Sequence, residues 1–293
     1  MFKGSFVALV TPMTESGDVD FDALNTLVEW HIEQGTHGIV SVGTTGESAT
    51  LPFAQHIAVI KATVKAIAGR CMCIAGSGAN STEEAIYLQD QMANLGIDGY
   101  LSVVPYYNKP QQAGLLAHFT ALANAAKLPI LLYNVPSRTV VDMSDEVVAE
   151  LAQHPMIVGV KDATGDLNRL QNLRNLCPDD FLILSGDDST GAAFMTQGGD
   201  GVISVSANIV PKQMKLMCEA ALSGNIDEAL AIDAQIERLH SDLFIEANPV
   251  MPKWCLFKMG KIASPTLRLP LVLPELSSQS TIESTLRDYH LIS

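Results

Sequence analysis

The stretch Ile157-Val158-Gly159-Val160-Lys161-Asp162 sets the reading of this sequence, because a short, β-branched apolar run ends abruptly in a lysine and an aspartate. A run of this length suits a strand buried on both faces, as in a parallel sheet. Strict alternation predicts Ile157, Gly159 and Lys161 on one face and Val158 and Val160 on the other.

Working outward, the same kind of run recurs eight times: Phe6–Val10, Gly38–Val42, Met72–Ala75, Gly99–Val104, Ile130–Tyr133, Ile157–Lys161, Phe181–Ser185 and Gly201–Val205. Amphipathic segments separate them, at 21–34, 53–68, 82–95, 115–126, 145–153, 167–176, 191–197 and 212–222. Eight βα units predict a closed (β/α)8 barrel, an α/β TIM barrel. An open doubly wound sheet is the alternative, but no GxGxxG turn follows the first strand. Past Gly224 the alternation stops. Helical patterns at 226–244, 250–262 and 282–290 predict a C-terminal helical extension, so the expected division is a barrel over 1–224 and a helical domain over 225–293.

Composition narrows the function classes. The 293 residues are 47% hydrophobic, enough for a large core, and the formal net charge of -14 gives no basic footprint for nucleic acid or anionic membrane. Residues 1–10 carry one lysine and too short an apolar run for a secretory signal, and no stretch has the length of a membrane span, so a cytoplasmic protein is expected. The five cysteines form no CxxC pair and are read as reduced thiols, with Cys71 and Cys73 on one strand face. The seven histidines show neither HxH nor HExxH spacing, and no metal site is expected.

In a barrel enzyme the chemistry sits at the C-terminal ends of the strands. Lys161 then points into the barrel mouth, with Gly159 beneath it leaving room for its stem. Loss of hydration there favours the neutral amine that attacks a carbonyl. The alternative is a strand-end lysine that reaches water or pairs with Asp162. Tyr133 ends the preceding run, and neighbouring strands lie about 4.8 Å apart, so its phenol is placed to shuttle protons at that amine. The turn Gly43-Thr44-Thr45-Gly46-Glu47 offers backbone N–H groups and two hydroxyls suited to a carboxylate, or it is an ordinary polar turn. Arg138 supplies a cation for a second carboxylate, or lies on the surface as arginines commonly do.

Taken together, Gly43-Thr44-Thr45-Gly46-Glu47, Tyr133-Asn134-Val135-Pro136-Ser137-Arg138 and Val160-Lys161-Asp162 closely resemble the dihydrodipicolinate synthase family, and the resemblance covers essentially the whole chain. It implies a condensation of pyruvate with L-aspartate 4-semialdehyde in the diaminopimelate route to lysine, with no cofactor. It further implies that Lys161 forms the pyruvate imine and that Tyr133, Thr44 and Tyr107 form a proton relay, Tyr107 reaching into a neighbouring subunit's site. Thr45 would hold the pyruvate carboxylate, Arg138 that of the semialdehyde, and backbone groups at Gly186 and Ile203 would line the pocket. A homotetramer built as a pair of tight dimers is implied as well.

Lysine-sensitive members of that family bind L-lysine with residues matching Ser48, Ala49, His56, Asn80, Glu84 and Tyr106. The resemblance therefore implies feedback inhibition at a site separate from Lys161. Ser81-x-x-Glu84 also reads as a capping box that needs no ligand. Phe53 stands where sensitive relatives commonly carry a histidine, so weaker inhibition is expected. Two competing functions are a sister aldolase for sugar-derived 2-keto acids, which generally lacks an arginine at the Arg138 position, and a catalytically silent binding scaffold.

Overall fold

The structure is a computed structural model that describes residues 2–293; Met1, the first residue of the expected barrel domain, lies outside them. The eight apolar runs become parallel strands β1 (Gly4–Ala8), β2 (Gly38–Ser41), β3 (Met72–Gly76), β4 (Gly99–Val103), β5 (Ile130–Asn134), β6 (Ile157–Asp162), β7 (Leu182–Ser185) and β8 (Gly201–Ser204). They close in sequence order into a barrel, with β1 paired to β8 through Phe6 and Ile203. Helices at Phe21–Glu33, Phe53–Ile67, Thr82–Met92, Gln112–Ala125, Asp145–Leu151, Leu167–Leu176, Gly191–Thr196 and Pro211–Leu222 follow the strands, so the fold is a TIM barrel. Ile226–Ala234, Glu237–Asp242, Val250–Lys258 and Leu276–Asp288 form the C-terminal helices.

Several helix starts are explained by single side chains. The Asp20 carboxylate accepts from the Ala23 N–H at 2.9 Å, and Ser144 and Asp166 cap their own helices in the same way. Ser81 accepts from the Glu84 N–H at 3.4 Å, the backbone half of the capping box.

Period-two alternation sorts the strand side chains into two cores. Val40, Ile74, Leu101, Leu131, Leu182, Leu184 and Ile203 fill the barrel, while Ile39, Cys73, Leu132, Val160 and Ile183 pack outward against the helices. Phe2 plugs the lower end, its ring edge-on to Phe6 at 6.4 Å between centroids. All five cysteines are free thiols, and burial pushes Cys71 and Cys177 up to about 11. No helix among the described residues is long and apolar enough to cross a membrane.

Two details depart from the alternation read in the sequence. The first strand starts two residues earlier than Phe6 and stops at Ala8. In β6 the pairing to β5 jumps from Ile130↔Ile157 to Leu131↔Gly159, which leaves Val158 as a bulge. Ile157 therefore joins Val160 in the outer core and Val158 packs against the inner one, opposite to the expectation for that pair. Past the bulge the alternation resumes, and Lys161 takes its register beside Tyr133.

Candidate active site

The C-terminal mouth of the barrel holds a cavity of about 200 Å³ lined by Thr44, Thr45, Tyr133, Arg138, Lys161, Gly186 and Asn248, among others. Lys161 is 5% exposed, and its Nζ lies 4.2 Å from the centroid of the Tyr133 ring. Among the described residues it forms no ion pair. Asp162 is turned away, accepts from Asn134 Nδ2 at 3.0 Å and forms an ion pair with Arg169, whose Nε lies 3.4 Å away. The amine is thus desolvated without a carboxylate to hold its charge.

Room for the lysine stem comes from Gly186, not from Gly159. A Cβ on Gly186 would stand 2.5 Å from Lys161 Cε, whereas one on Gly159 would meet the Leu182 carbonyl oxygen at 2.5 Å. Gly159 admits the neighbouring strand, and Gly186 admits the reactive side chain.

The threonine turn is built on strained backbone. Val42 has φ 53° and Glu47 φ 60°, left-handed values that non-glycine residues seldom adopt and a β-branched one least of all. Strain of about 1–3 kcal/mol per residue persists only where the surroundings impose it. Gly76 makes room for it, because any Cβ there would sit 2.1 Å from the Val42 carbonyl oxygen. The turn closes with Gly46 and Ser48 N–H donating to the Gly43 carbonyl, and the helix begins at Phe53, where the sequence placed it. The Thr44 and Thr45 amides donate to no backbone acceptor among the described residues and remain open to an anion.

Glu47 plays no part in that mouth. It is buried, pairs with Lys253 Nζ at 2.5 Å, and accepts from the Arg268 N–H at 3.0 Å, tying the turn to the C-terminal helices. The same helices send Asn248 into the cavity, where its Nδ2 donates to Thr45 Oγ1 at 2.9 Å and its backbone carbonyl accepts from Arg138 Nη2 at 3.0 Å. Sequence reasoning missed Asn248; the Asn-Pro dipeptide at 248–249 is a turn signal that marks the loop but not its destination.

Two expected site residues lie elsewhere in the single chain. Ile203 is buried in the inner core on β8, and Tyr107 is 89% exposed with φ 77°; neither lines the cavity.

A second cavity of about 370 Å³ abuts the first, with Thr44, Val135, Arg138 and Asn248 in both walls. Ser48, Ala49, His56, Glu84 and Tyr106 line it, together with Phe53. Asn80 does not; its carbonyl accepts from Asn108 Nδ2 at 2.8 Å. Burial lowers His56, whose Nε2 lies 2.8 Å from the Gly76 carbonyl, while burial and the nearby Glu84 raise Tyr106.

Comparison with known proteins matches the Dihydrodipicolinate synthetase family over residues 1–289. A 4-hydroxy-tetrahydrodipicolinate synthase of Pseudoalteromonas atlantica is 61% identical over 293 residues, the full length of both chains. The crystal structure of the chloride-inhibited dihydrodipicolinate synthase of Acinetobacter baumannii, complexed with pyruvate, superposes with a TM-score of 0.98 at 46% identity and covers 100% of each chain. A Cyanidioschyzon merolae counterpart with lysine bound has a TM-score of 0.95 at 39% identity, covering 99% of each chain.

Proposed function

Because the chain belongs to the dihydrodipicolinate synthetase family, and its activity is the 4-hydroxy-tetrahydrodipicolinate synthase reaction of a class I aldolase-type lyase, we propose the following roles for its residues. Lys161 attacks the keto carbon of pyruvate and Tyr133 serves the proton transfers that turn the carbinolamine into an imine. The open amides of the threonine turn and the hydroxyl hydrogen of Thr45 receive the pyruvate carboxylate, and the Thr44 hydroxyl joins Tyr133 and Tyr107 in the proton relay. Loss of a methyl proton gives an enamine, which attacks the aldehyde carbon of L-aspartate 4-semialdehyde while Arg138 holds that substrate's carboxylate.

The observation that carries this reading is the Lys161 amine itself, buried beside Tyr133 with no acid partner, in a cavity walled by an open threonine turn and an arginine. Borohydride in the presence of pyruvate should add one reduced pyruvate per chain at Lys161, read by peptide mapping. Modification of another lysine, or of none, refutes the mechanism.

Tyr107 acts across a subunit boundary in this reading, which fits its exposure of 89% and its absence from the cavity of its own chain. A homotetramer of paired tight dimers and a cytoplasmic location are proposed from membership of the family. Gly186 contributes space for Lys161, and Ile203 supports the floor of the site. The barrel is taken to end near Gly224, where Asn225 precedes the first C-terminal helix.

The second cavity is proposed as the seat of feedback inhibition by L-lysine, with Glu84 facing an ammonium group and the Tyr106 hydroxyl near the carboxylate. Its contact with the first cavity through Arg138 and Thr44 gives a short physical route between the two. Steady-state kinetics should show inhibition by millimolar lysine that weakens about tenfold in Glu84→Thr, the loss of one charge-assisted contact. Indifference of the unmodified protein to lysine removes the regulation, and unchanged inhibition in the variant removes the site.

A further inference from the structure

Asn248 is 6% exposed, lies in the wall shared by both cavities, and uses two of the three polar groups formed by its side-chain amide and its backbone carbonyl: Nδ2 on Thr45 and the backbone carbonyl on Arg138. Its third, the amide Oδ1, is buried and has no hydrogen-bond partner among the described residues. A buried acceptor left unpaired carries its full desolvation cost, so a group that satisfies it on binding gains more than the same contact would at the surface.

Pyruvate has no hydrogen-bond donor and cannot be that group. L-aspartate 4-semialdehyde has one, the α-ammonium, carried on the same carbon as the carboxylate assigned to Arg138. The Arg138 guanidinium already donates to the Asn248 backbone carbonyl, so a cation and the residue carrying the unpaired acceptor adjoin in one wall, as recognition of an α-amino acid head group requires. Resting on the pyruvate–semialdehyde reading above, we propose that Asn248 is a specificity residue: its Oδ1 accepts from the ammonium of the second substrate and its Nδ2 holds Thr45 with the hydroxyl hydrogen free for the pyruvate carboxylate. The mouth of the barrel thereby distinguishes an amino-aldehyde from its des-amino analogue through a side chain of the C-terminal helical region.

The test loads Lys161 with pyruvate and follows, by borohydride trapping, how fast the pyruvate imine is consumed after addition of L-aspartate 4-semialdehyde or of succinic semialdehyde, which keeps the carboxylate and lacks the amine. In Asn248→Ala the preference for the amino-aldehyde should fall about tenfold, equivalent to about 1.4 kcal/mol. Asn248→Asp retains an oxygen and adds charge, so it should raise the preference while requiring more pyruvate for half-maximal trapping, since the donor to Thr45 is gone. Normal pyruvate trapping with an unchanged preference in Asn248→Ala, or a preference in Asn248→Asp that does not rise, overturns the inference alone. Absence of trapping in the unmodified protein overturns the parent reading and this one with it.

Discussion

Two lysines in this molecule are almost equally hidden and wired in opposite ways. Lys253, on the helix Val250–Lys258, is fully buried and its Nζ is met by Glu47 at 2.5 Å and by the Thr266 carbonyl at 2.7 Å. Burial pulls it below the ordinary lysine range, against the charge of Glu47. Lys161, 5% exposed, has an aromatic face at 4.2 Å and no carboxylate. The first spends its charge on joining the C-terminal helices to the strained threonine turn. The second has no counter-charge to hold it and faces the open mouth of the barrel. What separates a structural from a reactive buried amine is therefore the partner and not the depth of burial.

The largest effect expected from breaking this contrast is on turnover. Lys161→Arg keeps a cation in the mouth but removes the nucleophile, and kcat/KM should fall by at least about 10³-fold. Its stability should change by no more than about 1–3 kcal/mol, the usual strain of one overpacked side chain. Retained turnover in a purified variant would mean that another group forms the imine.

The structural lysine should behave in reverse. Lys253→Met leaves Glu47 buried without its counter-charge, and urea denaturation should register a loss of about 3–5 kcal/mol. Adding Glu47→Gln should restore part of it by neutralising the orphaned acid. A single variant within about 1 kcal/mol of the parent protein would show that the pair contributes little to joining the two regions.

A pair of histidines sharpens the same point with a smaller effect. His31 is fully buried, bonded only to Thr36 at 3.0 Å, and burial pushes it down to about 3. His240 is as deeply placed, and burial opposes its charge, yet Asp233 at 3.2 Å, backed by Asp188 and Asp187, leaves it raised. The signs are opposite. His31 contributes stability above its unfolded value of 6.5 that is lost as pH falls toward 3, about 2 kcal/mol by pH 5. His240 contributes stability that is full below 6.5 and lost as pH rises through its elevated value. Melting temperatures from pH 5 to 9 should show His31→Asn flattening the acid side and His240→Asn flattening the alkaline side. The same slope change in both would contradict the assignment.

The Glu47–Lys253 bond also accounts for the one motif whose sequence reading divided between two parts of the fold. In Gly43-Thr44-Thr45-Gly46-Glu47 the threonines face the mouth, while the glutamate turns outward to a residue more than 200 positions away. A spacing rule has no access to that turn, because the direction of each side chain depends on left-handed φ values at Val42 and Glu47, the first of which needs the room that Gly76 leaves on the next strand.

Chain-local physics was enough for the barrel. Each strand and helix is written in a periodicity of a few residues, and eight βα repeats with short connections leave few topologies other than closure. The end of β6 was equally legible, since a lysine after four apolar residues has one natural place in a barrel. Only tertiary structure decided the rest: that Val158 bulges and reverses Ile157, that Gly186 and not Gly159 houses the lysine stem, and that Asn248 enters the cavity. Those outcomes arise where strands β5, β6 and β7 and the C-terminal helices compete for the same few ångströms, and close packing between distant segments leaves no periodic trace in the sequence of any one of them.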